Sequence, residues 1–157
     1  MKDTVPYGLR MPVSTEQILY PDRYLRKDIP IALAFAPDSA VLYEDVLGES
    51  EIRVLTARLR GANEIRSGGP IGWAGDRFRV YQSPTGPALV WYVVWDDTRS
   101  ADRFTWGYGG KLRSTSLPGY RTLVESFELE GKPATMYVLA PSAWAGWEEI
   151  PKVVVRR

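Results

Sequence analysis

The run "ALVWYVVW", Ala88 to Trp95, constrains this chain of 157 residues more than any other stretch. It is β-branched or aromatic at most positions and apolar on both faces, so it reads as a central strand. Before it, "RFRVYQ" alternates Arg77, Arg79 and Tyr81 against Phe78, Val80 and Gln82, the pattern of a half-exposed strand. "SPTGP" between them supplies turn chemistry, and the two runs predict an antiparallel hairpin. After Trp95 the period changes. "DDTRSADRF" predicts a helix capped by Asp97 or Thr98, with Ala101, Phe104 and Tyr108 facing inward. Gly107, Gly109 and Gly110 predict that it stops early.

The same signals organise the rest of the chain. Ser14 and Gln17 form a capping box for a short helix that Pro21 ends. An extended run lies between Pro30 and Pro37, and Val41 to Val46 reads as a strand. From Glu49 a helix is expected, with Ile52, Leu55 and Leu59 on its inward face and Gly61 as its C-terminal cap. "SGGPIGWAGD" reads as a loop, "YRTLVESFELEGKPATMYVLAP" as a second hairpin turning at "EGKP", and Val153 to Val155 as a last short strand. The expected fold class is α+β, an antiparallel sheet of five to seven strands with two main helices packed on one face. One domain over residues 1–157 is expected: an arm at 1–30, a strand–helix–hairpin–helix core at 31–113, and a hairpin with a terminal strand at 120–157.

What is missing narrows the chemistry. The chain has neither Cys nor His. That excludes disulfides, zinc thiolate and imidazole sites, iron–sulfur clusters, thiol nucleophiles and a Ser-His-Asp relay. No cofactor and no metal site is expected. Net charge is +1, with acids interspersed among the arginines, so nucleic acid is not an expected partner. There is no run of 18 apolar residues and no apolar signal segment near Met1, so the chain reads as soluble, with membrane association only through a partner. The glycines at 68, 69, 72 and 75 match neither dinucleotide nor P-loop spacing.

Two constellations compete as sites, and no residue is assigned a catalytic role. Trp73, Trp144 and Trp147, together with Tyr20 and Tyr24 of the arm, suggest an aromatic face that binds a protein partner or a second copy. The alternative is a pocket over Trp91, Trp95, Asp96, Asp97 and Arg77, which would serve a small ligand or an enzyme working with Asp and Glu alone. Loop tryptophans could equally stack on carbohydrate. A purely structural account has Asp97 capping the helix and Asp96 pairing with Arg77 or Arg103.

Two segments also carry a resemblance. "PVSTEQILYPDRYL" is similar to "P-x-STEQILHPEKYL". "GWAGDRFRVY", "ALVWYVVWDD" and "ADRF" are similar to "GWGGDRY…W-x-x-x-WD…DA-x-x-F". Both occur, in this order, in poorly characterised bacterial metallopeptidase-like exported proteins, downstream of a domain bearing HExxH. The resemblance covers Pro12 to Phe104. It lacks HExxH, and Tyr20 stands where that family has His, so zinc and peptidase activity do not carry over. It implies an exported accessory domain, with the "STEQILxP" segment as a docking element. The expectation is therefore a non-catalytic interaction domain, in one form an extrinsic subunit of a membrane-associated assembly.

Overall fold

The computed structural model describes residues 30–59, 72–114 and 117–157. The expected arm helix, Tyr20, Tyr24 and the cap at Gly61 lie outside these. Seven strands are present among the described residues: β1 (Leu33–Phe35), β2 (Val41–Asp45), β3 (Trp73–Tyr81), β4 (Ala88–Trp95), β5 (Tyr120–Leu129), β6 (Lys132–Pro141) and β7 (Val153–Val155). Five of them form an antiparallel sheet in the order β2-β3-β4-β6-β5, and β1 pairs with β7 in a separate two-stranded sheet. The fold is α+β.

β4 lies in the middle of the large sheet, as its two-faced apolar pattern requires. Its even-numbered residues Val90, Tyr92 and Val94 pack with Leu33, Phe35, Trp144 and Val153, so the small sheet covers that side. Its odd-numbered residues Trp91, Val93 and Trp95 pack with Ile52, Ala101 and Phe104 beneath the helices. Fully burying a side chain of this size is worth roughly 1.5–3 kcal/mol, which is why the element apolar on both sides becomes the centre of three layers. Both predicted hairpins form, β3–β4 and β5–β6. The second turns at Glu130 and Gly131, both at positive φ, the geometry of a two-residue hairpin loop.

Helix α1 spans Gly48–Leu59. A second helical stretch runs from α2 (Thr98–Asp102) through a π-helical segment (Arg103–Tyr108) into α3 (Gly109–Ser114). Asp97 caps it, its carboxylate accepting from the Ser100 amide at 2.8 Å. Ala101 and Phe104 face inward as expected. The stretch does not stop at its glycines. The Gly109 amide reaches back five residues to the Phe104 carbonyl, and a Cβ on Gly109 would sit 3.0 Å from Val124 Cγ1. Glycine there lets the helix approach β5 closely.

Two other expectations are overturned. Trp73 to Asp76 belong to β3 and not to a loop. Their neighbour across the face is Ile31, whose amide donates to the Ala74 carbonyl at 2.8 Å and whose own carbonyl would lie 2.3 Å from a Cβ on Gly75. In α1, Ile52 is buried and Leu55 packs, partly buried, against the same cluster as expected, but Leu59 is only half-buried, and Glu49, Ser50, Arg53 and Thr56 are buried as well. The N-terminus of this helix sits over a polar feature of the sheet, and its inward face mixes these polar residues with Ile52 and Ala57.

Candidate functional site

That polar feature is Asp76, 2% exposed on the helix-facing side of β3. Oδ1 accepts from the Gly48 amide at 2.9 Å and from Trp73 Nε1 at 3.1 Å. Oδ2 accepts from the Leu47 amide at 2.8 Å and from Trp91 Nε1 at 3.0 Å. One carboxylate thus caps the N-terminus of α1, where amides are unpaired and the helix dipole favours negative charge, and it ties down two indoles. Burial pushes the Asp76 carboxyl above the ordinary aspartate value, while the four hydrogen bonds pull it back toward the charged form. Each oxygen faces two N–H donors, none able to accept a proton, so the ionised form fits the site. With all its acceptor positions spent on the fold, Asp76 is a structural anchor.

Toward β5, the helical stretch covers an aromatic cluster and a chain of hydroxyls. Trp95 packs against Phe104 with the rings tilted by 39°, at 5.0 Å between ring centres, and Trp91 meets Phe104 edge-on at 5.7 Å and Tyr137 at 6.3 Å. Trp95 Nε1 donates to Thr135 Oγ1 at 3.0 Å, Thr135 shares a 2.8 Å bond with Thr105, and Ser126 donates to Thr105 at 3.1 Å. Thr105 therefore points inward from the π-helical segment, and the next residue, Trp106, points out. Trp106 is 66% exposed, and the Arg113 guanidinium stands over its ring at 5.7 Å. Arg113 Nη2 donates to the Val124 carbonyl of β5 at 2.6 Å. An exposed indole held by an arginine on a π-turn is a combination found at recognition surfaces.

The sequence-predicted residues are distributed differently. Trp73 is buried on the helix side. Trp144 is buried on the opposite side of the sheet, in T-shaped contact with half-buried Trp147 at 5.8 Å. These three do not form one face. Trp147 is itself covered by the Arg121 guanidinium at 4.4 Å, and its Nε1 donates to the Pro141 carbonyl. In the alternative set, Trp91 and Trp95 are buried in the cluster just described, whereas Asp96 and Asp97 are exposed beyond the end of β4. The cap contact with the Ser100 amide holds the Asp97 carboxyl below the ordinary range. Arg77 lies on the other side of the sheet, where it and Arg79 both bond Glu44. Burial pushes the Glu44 carboxyl up, and the two guanidiniums together outweigh it and hold it low.

Asp76 and Trp106 belong to neither of the two sequence-predicted constellations. The signal for Asp76 was its position between Trp73 and Phe78 in a run that is strand throughout. Among the described residues there is no group of three or more metal-ligating side chains, and no helix is long and apolar enough to cross a membrane. A family model described as a domain of unknown function, DUF8575, matches residues 36–146, which take in the whole large sheet and both helical stretches. No curated protein and no solved structure matches the chain.

Proposed function

The chain belongs to the DUF8575 family, and from its own residues we propose that it is a non-catalytic interaction domain that binds a protein partner through the surface around Trp106. The observation that carries this reading is the contrast in the use of its aromatics. Trp73, Trp91, Trp95 and Trp144 are buried, while Trp106 is 66% exposed and held in place by Arg113. An indole pre-positioned by a guanidinium contributes large apolar area at little entropic cost, and Trp and Arg are enriched among residues that dominate binding energy.

The reading of the chain as an Asp/Glu enzyme or ligand pocket has less support. The deeply buried Asp76 has its acceptor positions filled, and Asp97 is engaged in capping. The resemblance to accessory regions of exported metallopeptidase-like proteins favours a partner outside the cytoplasm, and an extrinsic role in a membrane-associated assembly is the finer form of the proposal.

The test uses the full chain as bait in extracts of its native source, followed by reconstitution with the identified partner. Trp106→Ala is expected to weaken binding by about thirtyfold, the effect of a hot-spot residue worth about 2 kcal/mol, with an unchanged circular dichroism spectrum. Equal affinity for wild type and Trp106→Ala would overturn the assignment of this surface.

A further inference from the structure

The large sheet ends on two unequal edges. β2 supplies five residues and carries a register break between Val41 and Tyr43, the irregularity that blunts an edge. β5 supplies ten residues in unbroken register with β6, from Tyr120 opposite Pro141 to Leu129 opposite Lys132. Among the described residues no strand lies outside it.

The two-residue turn fixes which backbone groups are free. Leu129 is hydrogen-bonded to Lys132 across such a turn, so odd-numbered residues back to Arg121 bond β6 and even-numbered residues point outward. Two contacts agree with this. The Val124 carbonyl accepts from Arg113, and the Tyr120 amide donates to the Leu117 carbonyl at 3.0 Å, so neither group is spent on β6. Arg113 therefore occupies the central outward carbonyl of the edge.

We propose that β5 is the contact edge between two copies of this chain, paired antiparallel about a two-fold axis at Leu123. The inference goes beyond the Trp106 reading: it rests on the proposed interaction role, places a second contact on the neighbouring strand edge and names its occupant. When identical strands pair antiparallel about an axis perpendicular to the sheet, opposed side chains lie on one face, so only residues of like parity can face each other. The permitted registers then differ in steps of two. The register centred on Leu123 is the one that sets Arg121 of each copy opposite Glu125 of the other, and symmetry makes that pair twice. It also opposes Thr122 to Val124. A register centred on Val124 sets Glu125 opposite Leu123, and one centred on Glu125 sets that carboxylate against itself. Arg121 and Glu125 are both exposed, so a second copy can reach them, with the Arg121 guanidinium shared between Trp147 and the partner's carboxylate. In the paired state the Thr122 amide of one copy donates to the Val124 carbonyl of the other, so Arg113 competes with the second strand for that acceptor.

Sedimentation equilibrium of the full chain over a range of concentrations tests this. Wild type is expected to show a concentration-dependent dimer, and Arg113→Gln, which removes the competitor, a tighter one. Arg121→Glu and Glu125→Arg should each weaken the dimer by about tenfold, because each places two like-charge pairs across the axis. The double variant Arg121→Glu/Glu125→Arg should restore it, a recovery that altered folding cannot mimic. A monomer for both wild type and Arg113→Gln at the highest concentration, or a double variant as weak as the single ones, would overturn the proposal. A monomeric chain that still captures another protein through Trp106 refutes self-pairing alone. A chain that does neither refutes both readings.

Discussion

Replacing Asp76 by Asn removes one charge and hardly changes shape, yet it should be among the most damaging substitutions available to this fold. The carboxylate takes four hydrogen bonds, two on each oxygen, from the Leu47 and Gly48 amides and from the Trp73 and Trp91 indoles. An amide can offer one oxygen to two of these donors. Its NH2 group must then face the other two, so N–H meets N–H in a site only 2% exposed. Each donor left buried without an acceptor costs about 1–3 kcal/mol, giving about 4 kcal/mol in all, against a total stability of about 5–15 kcal/mol for a domain. At about 2–4 °C per kcal/mol for a chain of this size, the midpoint of thermal unfolding should fall by roughly 10 °C. Urea unfolding at pH 7, followed by far-ultraviolet circular dichroism and tryptophan fluorescence, reads the change directly. Asp97→Asn is the matched control: Asn caps a helix about as well as Asp, so a shift below about 0.5 kcal/mol is expected there. If Asp76→Asn lay within about 1 kcal/mol of wild type, the four-donor description of the site would be wrong.

Gly75→Ala should destabilise by about 2–3 kcal/mol, measured by the same melts, because its Cβ would be 2.3 Å from the Ile31 carbonyl oxygen and the obstacle is backbone. Thr135→Val keeps the volume but removes the acceptor of Trp95 Nε1 and the partner of Thr105. It should cost about 1–3 kcal/mol and alter the near-ultraviolet dichroism. Glu44 is held below its ordinary pKa by Arg77 and Arg79, so the folded state binds its proton less readily than the unfolded state. Its contribution is therefore present above the unfolded value of 4.5 and is lost as pH falls through the lower, folded value. Thermal melts from pH 7 to pH 3 should show a smaller acid-induced loss for Glu44→Gln than for wild type. An identical slope for the two would remove Glu44 from the account of acid stability.

The fold was legible wherever a residue's neighbours along the chain decide its state. The alternation in Arg77–Gln82, the turn residues after it, the Asp97 cap and the second hairpin all declared themselves locally, and all are present. The misses share a different cause: each depended on what packs across from the residue. Gly109 looked like a helix breaker because its purpose, contact with Val124, lies on another element. Leu59 looked inward because the periodicity of α1 carries no hint of where the sheet beneath it ends, whereas Ile52 and Leu55 do pack against the core. The cover on the second face of β4 comes from β1 and β7, each three residues long and too short for any pattern to reveal their pairing. The site suffered most. Trp73 and Trp144 are similar in sequence context and end up on opposite sides of one sheet.

The pairing of Leu33 with Val155 has a consequence for biosynthesis. Every strand of the large sheet has left the ribosome before Val153 does, so Val90, Tyr92 and Val94 must wait, half clothed, until Val153 to Val155 are made. During that interval the nascent protein shows an oily flank that chaperones could hold, and a stalled or clipped product would keep it bare.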